Sequence, residues 1–214
     1  MKTLKQFLKR KISLEHQSAK INSTFAIIFS LCFVVFLNSC VSAPKQSEHC
    51  SPMIYGQGIK SSGQLFNFFM EQNPLADKKE IKKISQLYIR ESEAEGINSD
   101  VAFVQMCLET GFLKFGNLVT KEMHNYCGLG AIDSDHPGET FETMELGVRA
   151  HIQHLHAYGT TEEIELKNQL IDRRYKYVKP RGKAADIRGL SGTWAMDPNY
   201  AIKLEALLLK LEQF

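Results

Sequence analysis

No internal repeat, no low-complexity tract and no sustained alternation of apolar and polar residues occurs in this chain of 214 residues. The first absence excludes solenoids and propellers, and the third excludes a sheet-dominated fold. No apolar run is long enough to cross a bilayer comfortably. The longest, Phe25 to Leu37, has the length of a signal-peptide core instead. Of five cysteines, three lie beyond residue 40 (Cys50, Cys107 and Cys127). An odd number leaves at least one thiol free or paired between chains. An excess of positive charge is also missing once the leader is set aside. The whole chain has a formal net charge of +2, but residues 1–39 hold Lys2, Lys5, Lys9, Arg10, Lys11 and Lys20 against Glu15 alone. Without them, 26 basic and 24 acidic residues become 20 and 23, a net of −3 with neutral histidines. That balance gives no support for a nucleic-acid partner.

The basic leader and short apolar core end in Leu37-Asn38-Ser39-Cys40. This order resembles the lipobox of bacterial lipoproteins, in which a small residue precedes a lipidated cysteine. The expectation is a signal peptide over 1–39, lipidation at Cys40, a tether of Ser, Pro, Gly and Lys over 40–61, and one domain over 62–214. The residues after Cys40 include no acidic cluster, which favours a membrane-anchored protein on the periplasmic side of a Gram-negative envelope.

In the domain, hydrophobic spacing predicts helices over Gly63–Glu71, Lys78–Glu95, Glu145–Tyr158 and Glu162–Leu170, with a last one opened by Asp197 and Pro198. Tyr175 to Val178 has the composition of a short strand. The stretch from Val101 to Leu108 is almost wholly apolar and reads as a buried helix, capped by Asn98 or Ser99 and stopped by Gly111. One carboxylate, Glu109, sits on its last turn. Partial burial and the carbonyl end of a helix both disfavour its charged form. A carboxyl that stays protonated near neutral pH is what a glycosidase uses as its general acid. From Gly111 to Phe141 the pattern dissolves into Gly116, Gly128, Gly130, Pro137 and Gly138. An irregular stretch of that length in a compact domain is usually functional.

Other constellations are weaker. His151 and His154 share a helical face but His156 does not, and no Cys or carboxylate stands at ligand spacing, so neither metal nor cofactor is expected. Cys127 sits among glycines and an aromatic rather than at a helix N-terminus, which disfavours a nucleophilic thiol. The run Arg173, Arg174, Lys176, Lys179, Arg181 and Lys183 reads as solvated surface that can also meet the carboxylates of peptides.

Four segments in order carry a resemblance. Leu108-Glu109-Thr110-Gly111-Phe112 with Lys114-Phe115-Gly116, then Asn125-Tyr126-Cys127-Gly128-Leu129-Gly130, then Gly147-Val148-Arg149-Ala150, then Asp197-Pro198-Asn199-Tyr200 resemble the motifs of bacterial endo-β-N-acetylglucosaminidases of glycoside hydrolase family 73. The resemblance covers roughly residues 62–213. It implies a mainly α, lysozyme-like domain with a cleft and an irregular loop or small β lobe. It also implies a monomer acting on β-1,4 bonds of peptidoglycan glycan strands. Glu109 matches the general acid, Tyr200 a tyrosine near the reaction centre, and Asn125, Tyr126 and Gly128 a cleft wall. Phe112, Phe115, Tyr126 and Trp194 are candidates to stack on sugar faces. Asp133, Asp135, Glu139 and Glu142 lie in or beside the irregular loop. Glu139, next to Pro137-Gly138, is preferred as a second carboxylate, with the substrate's N-acetyl oxygen as the alternative nucleophile. A lytic transglycosylase on the same fold and a catalytically silent wall-binding lipoprotein are the rival readings.

Overall fold

The computed structural model describes residues 49–214. The leader over 1–39, Cys40 and the first part of the tether lie outside the described residues. Five α-helices dominate the described residues: α1 (Ser62–Gln72), α2 (Lys78–Glu95), α3 (Ser99–Thr110), α4 (Met144–Gly159) and α5 (Tyr200–Leu211). A two-stranded antiparallel hairpin, β1 (Ala131–Asp133) and β2 (His136–Pro137), forms the small β lobe. The mainly α class and lysozyme-like architecture expected from the sequence are what the chain adopts.

Local signals set the helix ends. Asp77 caps α2 by accepting from the Lys79 and Glu80 amides, and Gly96 ends it at φ 67°. Asn98, rather than Ser99, caps α3 by accepting from Asp100 N and Val101 N, and Gly111 stops it at φ 57°. Ser61 and Gln64 form a reciprocal capping box on α1. The apolar run of α3 is central: every residue from Val101 to Cys107 is fully buried. Helix α3 touches each of the other four helices.

Three local expectations are corrected. Residues 162–170 form turns, not a helix. Tyr175–Tyr177 is a 3-10 turn rather than a strand. Asp197 and Pro198 do not begin α5. The Asp197 carboxylate accepts from Asn199 N at 2.9 Å and its carbonyl from Tyr200 N at 3.1 Å, so a turn precedes the helix, which starts at Tyr200. The basic run is also only partly solvated. Arg181 turns inward, donating to Thr160 Oγ1 at 2.7 Å and to the Thr161 and Ile164 carbonyls.

The part of the tether reading that falls on residues 49–61 differs from the structure as well. Ile54 is fully buried. Its amide donates to Ala185 O at 3.0 Å, and its carbonyl accepts from Asn98 N at 2.9 Å. The buried Asp100 carboxylate receives the Ile59 and Lys60 amides at 2.9 and 3.2 Å. The segment lacks periodicity because long-range partners, not a helix or strand, satisfy its backbone.

Candidate active site

Helix α3 delivers Glu109 to a cleft of about 260 Å³ lined by Glu109, Asn117, Leu118, Val119, Cys127, Gly128, Ala131, Trp194 and Ala195. Among the described residues, three of the four non-glycine residues with positive φ, namely Phe112, Leu113 and Phe115, follow directly after it. Such backbone is costly outside glycine and persists only where packing over-determines it. Thr110 helps here: its hydroxyl donates to Met106 O and accepts from Leu113 N at 2.9 Å.

Two donors converge on one oxygen of Glu109. The Trp194 indole N–H reaches Oε1 at 3.0 Å, and the Tyr200 hydroxyl donates to the same atom. Among the described residues no donor reaches Oε2. Burial pushes the Glu109 carboxyl above the ordinary carboxylate range, against the opposing pull of the Tyr200 and Trp194 hydrogen bonds. Tyr200 is pushed well up by its own burial and by the neighbouring carboxylate, so it remains a neutral donor. Glu109 and Tyr200, 91 positions apart in sequence, thus meet at one hydrogen bond.

Trp194 lines the cleft and rests on a platform. Its ring lies 5.1 Å from His154, 5.2 Å from Tyr158 and 5.8 Å from His151. His154 is fixed from behind by the buried Asp172, with Nδ1 to Oδ2 at 2.7 Å. His151 and His154 of α4 thus both belong to the platform under Trp194. Gly128 also lines the cleft. Its φ of 67° is a left-handed geometry that β-carbon residues rarely adopt.

The remaining candidates are placed elsewhere. Phe112 turns inward, with ring centroids 5.8 Å from Phe68 and 5.6 Å from Phe69. Phe115 likewise packs against the core. Asn125 is buried and spends its amide on the loop, donating to Leu129 O and Glu139 O and accepting from Leu129 N. Tyr126 is buried beside His124. These residues shape the cleft from behind rather than line it. Glu139 stands beside Gly130 at the β lobe and faces Arg173 at 3.6 Å. Asp133 is occupied by the hairpin turn, accepting from the Asp135 and His136 amides. Burial pushes the Cys127 thiol well up, the opposite of what a nucleophile requires.

Sequence reasoning did not single out Asn117, Leu118 and Val119, although apolar residues stranded in a glycine-punctuated loop were a usable signal. It also passed over Gln105, the one polar side chain within the apolar run of α3.

Comparison with known proteins agrees with this geometry. A family model described as mannosyl-glycoprotein endo-β-N-acetylglucosaminidase, the glucosaminidase domain, matches residues 85–213. An uncharacterized protein of Borreliella burgdorferi is 39% identical over 174 residues, covering 81% of this chain and 84% of its own. The crystal structure of autolysin E of S. aureus, in complex with a muropeptide, shares the fold with a TM-score of 0.50 and 16% identity. That match covers 78% of this chain and 73% of the autolysin chain. With the family model spanning the helix that carries Glu109, the loop that carries Gly128 and the helix that carries Tyr200, the chain belongs to the glucosaminidase family and is a glycoside hydrolase.

Proposed function

We propose that the protein is an endo-β-N-acetylglucosaminidase of peptidoglycan, cutting β-1,4 bonds of the glycan strand on the reducing side of N-acetylglucosamine. The carrying observation is the carboxyl of Glu109. It opens on the cleft, its pKa is raised by burial, and one oxygen is saturated by Trp194 and Tyr200 while the other has no partner among the described residues. A protonated Oε2 is then available to the departing glycosidic oxygen. The Tyr200 and Trp194 donors compensate the negative charge left on Glu109 once the proton has gone. Trp194 also offers a ring face to a sugar. The muropeptide held by the structurally similar autolysin supports a cell-wall glycan as substrate.

In this reading Glu139 takes the second-carboxylate role. Its place beside the hairpin supports this role, with the substrate's N-acetyl oxygen as the alternative nucleophile. Cys40 carries a lipid anchor that holds the domain at the membrane, facing the periplasm. The leader's charge order and the Ser39-Cys40 junction support this part.

Product analysis of purified peptidoglycan tests the reaction. New reducing ends of N-acetylglucosamine, reducible by borohydride, are expected from the wild type, and Glu109→Gln should lower turnover by at least about a hundredfold. Anhydro ends would instead mark a lytic transglycosylase, and no cleavage a silent wall-binding protein. Glu139→Gln should lose activity as severely as Glu109→Gln. A fully active variant would assign the nucleophile to the N-acetyl group.

A further inference from the structure

Behind the cleft lies a set of polar side chains that acid catalysis alone does not require. Gln105 on α3, His151 on α4 and Tyr88 on α2 are each fully buried in the apolar core. Such groups are costly unless every polar atom is paired. Here they are paired in one line. Tyr88 Oη lies 2.8 Å from His151 Nδ1, and His151 Nε2 lies 3.0 Å from Gln105 Oε1. Gln105 Nε2 donates over 2.8 Å to the Tyr200 hydroxyl oxygen, and Tyr200 donates to Glu109 Oε1.

Each bond dictates the direction of the next. The single proton of Tyr200 is committed to the carboxylate, so its oxygen must accept from the amide NH2 of Gln105. The amide carbonyl then faces His151, which must present Nε2–H. Nδ1 is left as an acceptor, and Tyr88 supplies the proton. All four donors therefore point the same way, toward Glu109.

We infer that Gln105, His151 and Tyr88 are positioning residues that lock Tyr200 as a donor to Glu109 Oε1 and so keep the reactive proton on Oε2. The inference rests on Glu109 being the general acid. A carboxyl whose proton could rest on either oxygen would spend part of its time with that proton turned away from the cleft. A Tyr200 free to rotate would let this happen, whereas a hydroxyl pinned by Gln105 does not.

The surroundings sustain the polarity. Burial holds the His151 imidazole down to about 3, with His154 adding to the effect, so it stays neutral. Facing His151 are Tyr88 from α2, His154 from its own helix and the Trp194 ring from the loop before α5. Facing Glu109 are Tyr200 from α5 and Cys127 from the glycine-rich loop, which also lies in the field of Asp172. Among the described residues, the groups that shift these two include no cationic side chain.

Two measurements on the full chain test this. In nitrogen-15 spectra of the wild type, His151 should be the neutral Nε2–H tautomer at pH 7 and remain so at pH 5. An Nδ1–H tautomer, or an imidazolium at pH 5, overturns the inference. This readout needs no substrate, so it stands even if the protein cleaves no glycan. The second follows the Glu109 carboxyl by carbon-13 NMR alongside turnover. Gln105→Met should lower kcat about tenfold with KM unchanged and move the Glu109 titration up by about half a pH unit, because Tyr200 becomes a weaker donor. Tyr200→Phe should move it further in the same direction, by about one unit. The double variant should titrate like Tyr200→Phe, since both changes act through one hydroxyl. An unchanged titration in Gln105→Met, or shifts that add in full, overturns the proposal. If Gln105→Met does not fold, the His151 spectrum decides.

Discussion

At the scale of the residue, the role proposed for Glu109 sets chemistry against stability. Burial disfavours its ionised form, so the folded state holds its proton more tightly than the unfolded chain does. Stability from this source is complete below the ordinary carboxylate value of about 4.5 and is lost as pH rises through the raised folded value. Glu109→Gln keeps an oxygen acceptor for Trp194 and Tyr200 but cannot ionise. It should therefore match the wild type in thermal melting near pH 4.5 and exceed it by a few degrees near pH 8, since roughly 2–4 °C accompanies each kcal/mol in a domain of this size. Equal melting temperatures at both pH values would contradict the buried-acid account. In the proposed mechanism the protonated form is the working one, so activity should run the other way, falling as pH rises through the same carboxyl.

At the scale of the element, α4 is placed against the glycine-rich loop by a single missing side chain. A β-carbon on Gly147 would stand 1.8 Å from the His124 carbonyl oxygen, a backbone atom that cannot swing aside. Gly147→Ala should push α4 away from the loop that carries Gly128 and cost about 1–3 kcal/mol. Urea melts would measure the loss, and a cost near zero would show that the loop yields freely. The sequence displayed Gly147 within a recognisable stretch, but not what it approaches, since His124 lies 23 positions away in a segment without periodicity. Helices α1 to α4 were legible because apolar spacing, Asn98 and Gly111 are local signals. The supposed helix over 162–170 failed for a tertiary reason: Glu95 at the end of α2 captures the Lys167 and Asn168 amides, both at 2.8 Å, so the backbone bonds outward instead of to itself.

At the scale of the whole molecule, the segment before α1 belongs to the folded domain. A chain beginning at Ser62 would lose the fully buried Ile54 and the amides of Ile59 and Lys60 that satisfy the buried Asp100. Loss of the Ile54 side chain alone should cost about 2–5 kcal/mol, and Asp100 would be left unpaired. Such a chain should melt far below one beginning at residue 48, or collect as insoluble protein, whereas equal melting would return the segment to the role of a tether. The proposed anchor is tested separately. Cys40→Ala should abolish incorporation of labelled palmitate and move the protein from the membrane to the soluble fraction, and undiminished labelling would exclude Cys40 as the site.

The sequence by itself determined the buried helix α3, its cap and stop, the acid on its last turn and the glycine-broken loop beyond, because each depends on neighbours within a few residues. Tertiary structure alone decided that Trp194 and Tyr200 share one oxygen of Glu109, that Phe112 turns into the core and that Gln105 joins His151 in the line behind Tyr200. Those pairings join residues 43 to 91 positions apart. Hydrophobic spacing reports which face of a helix is buried, but not which polar atom of another helix will meet it there.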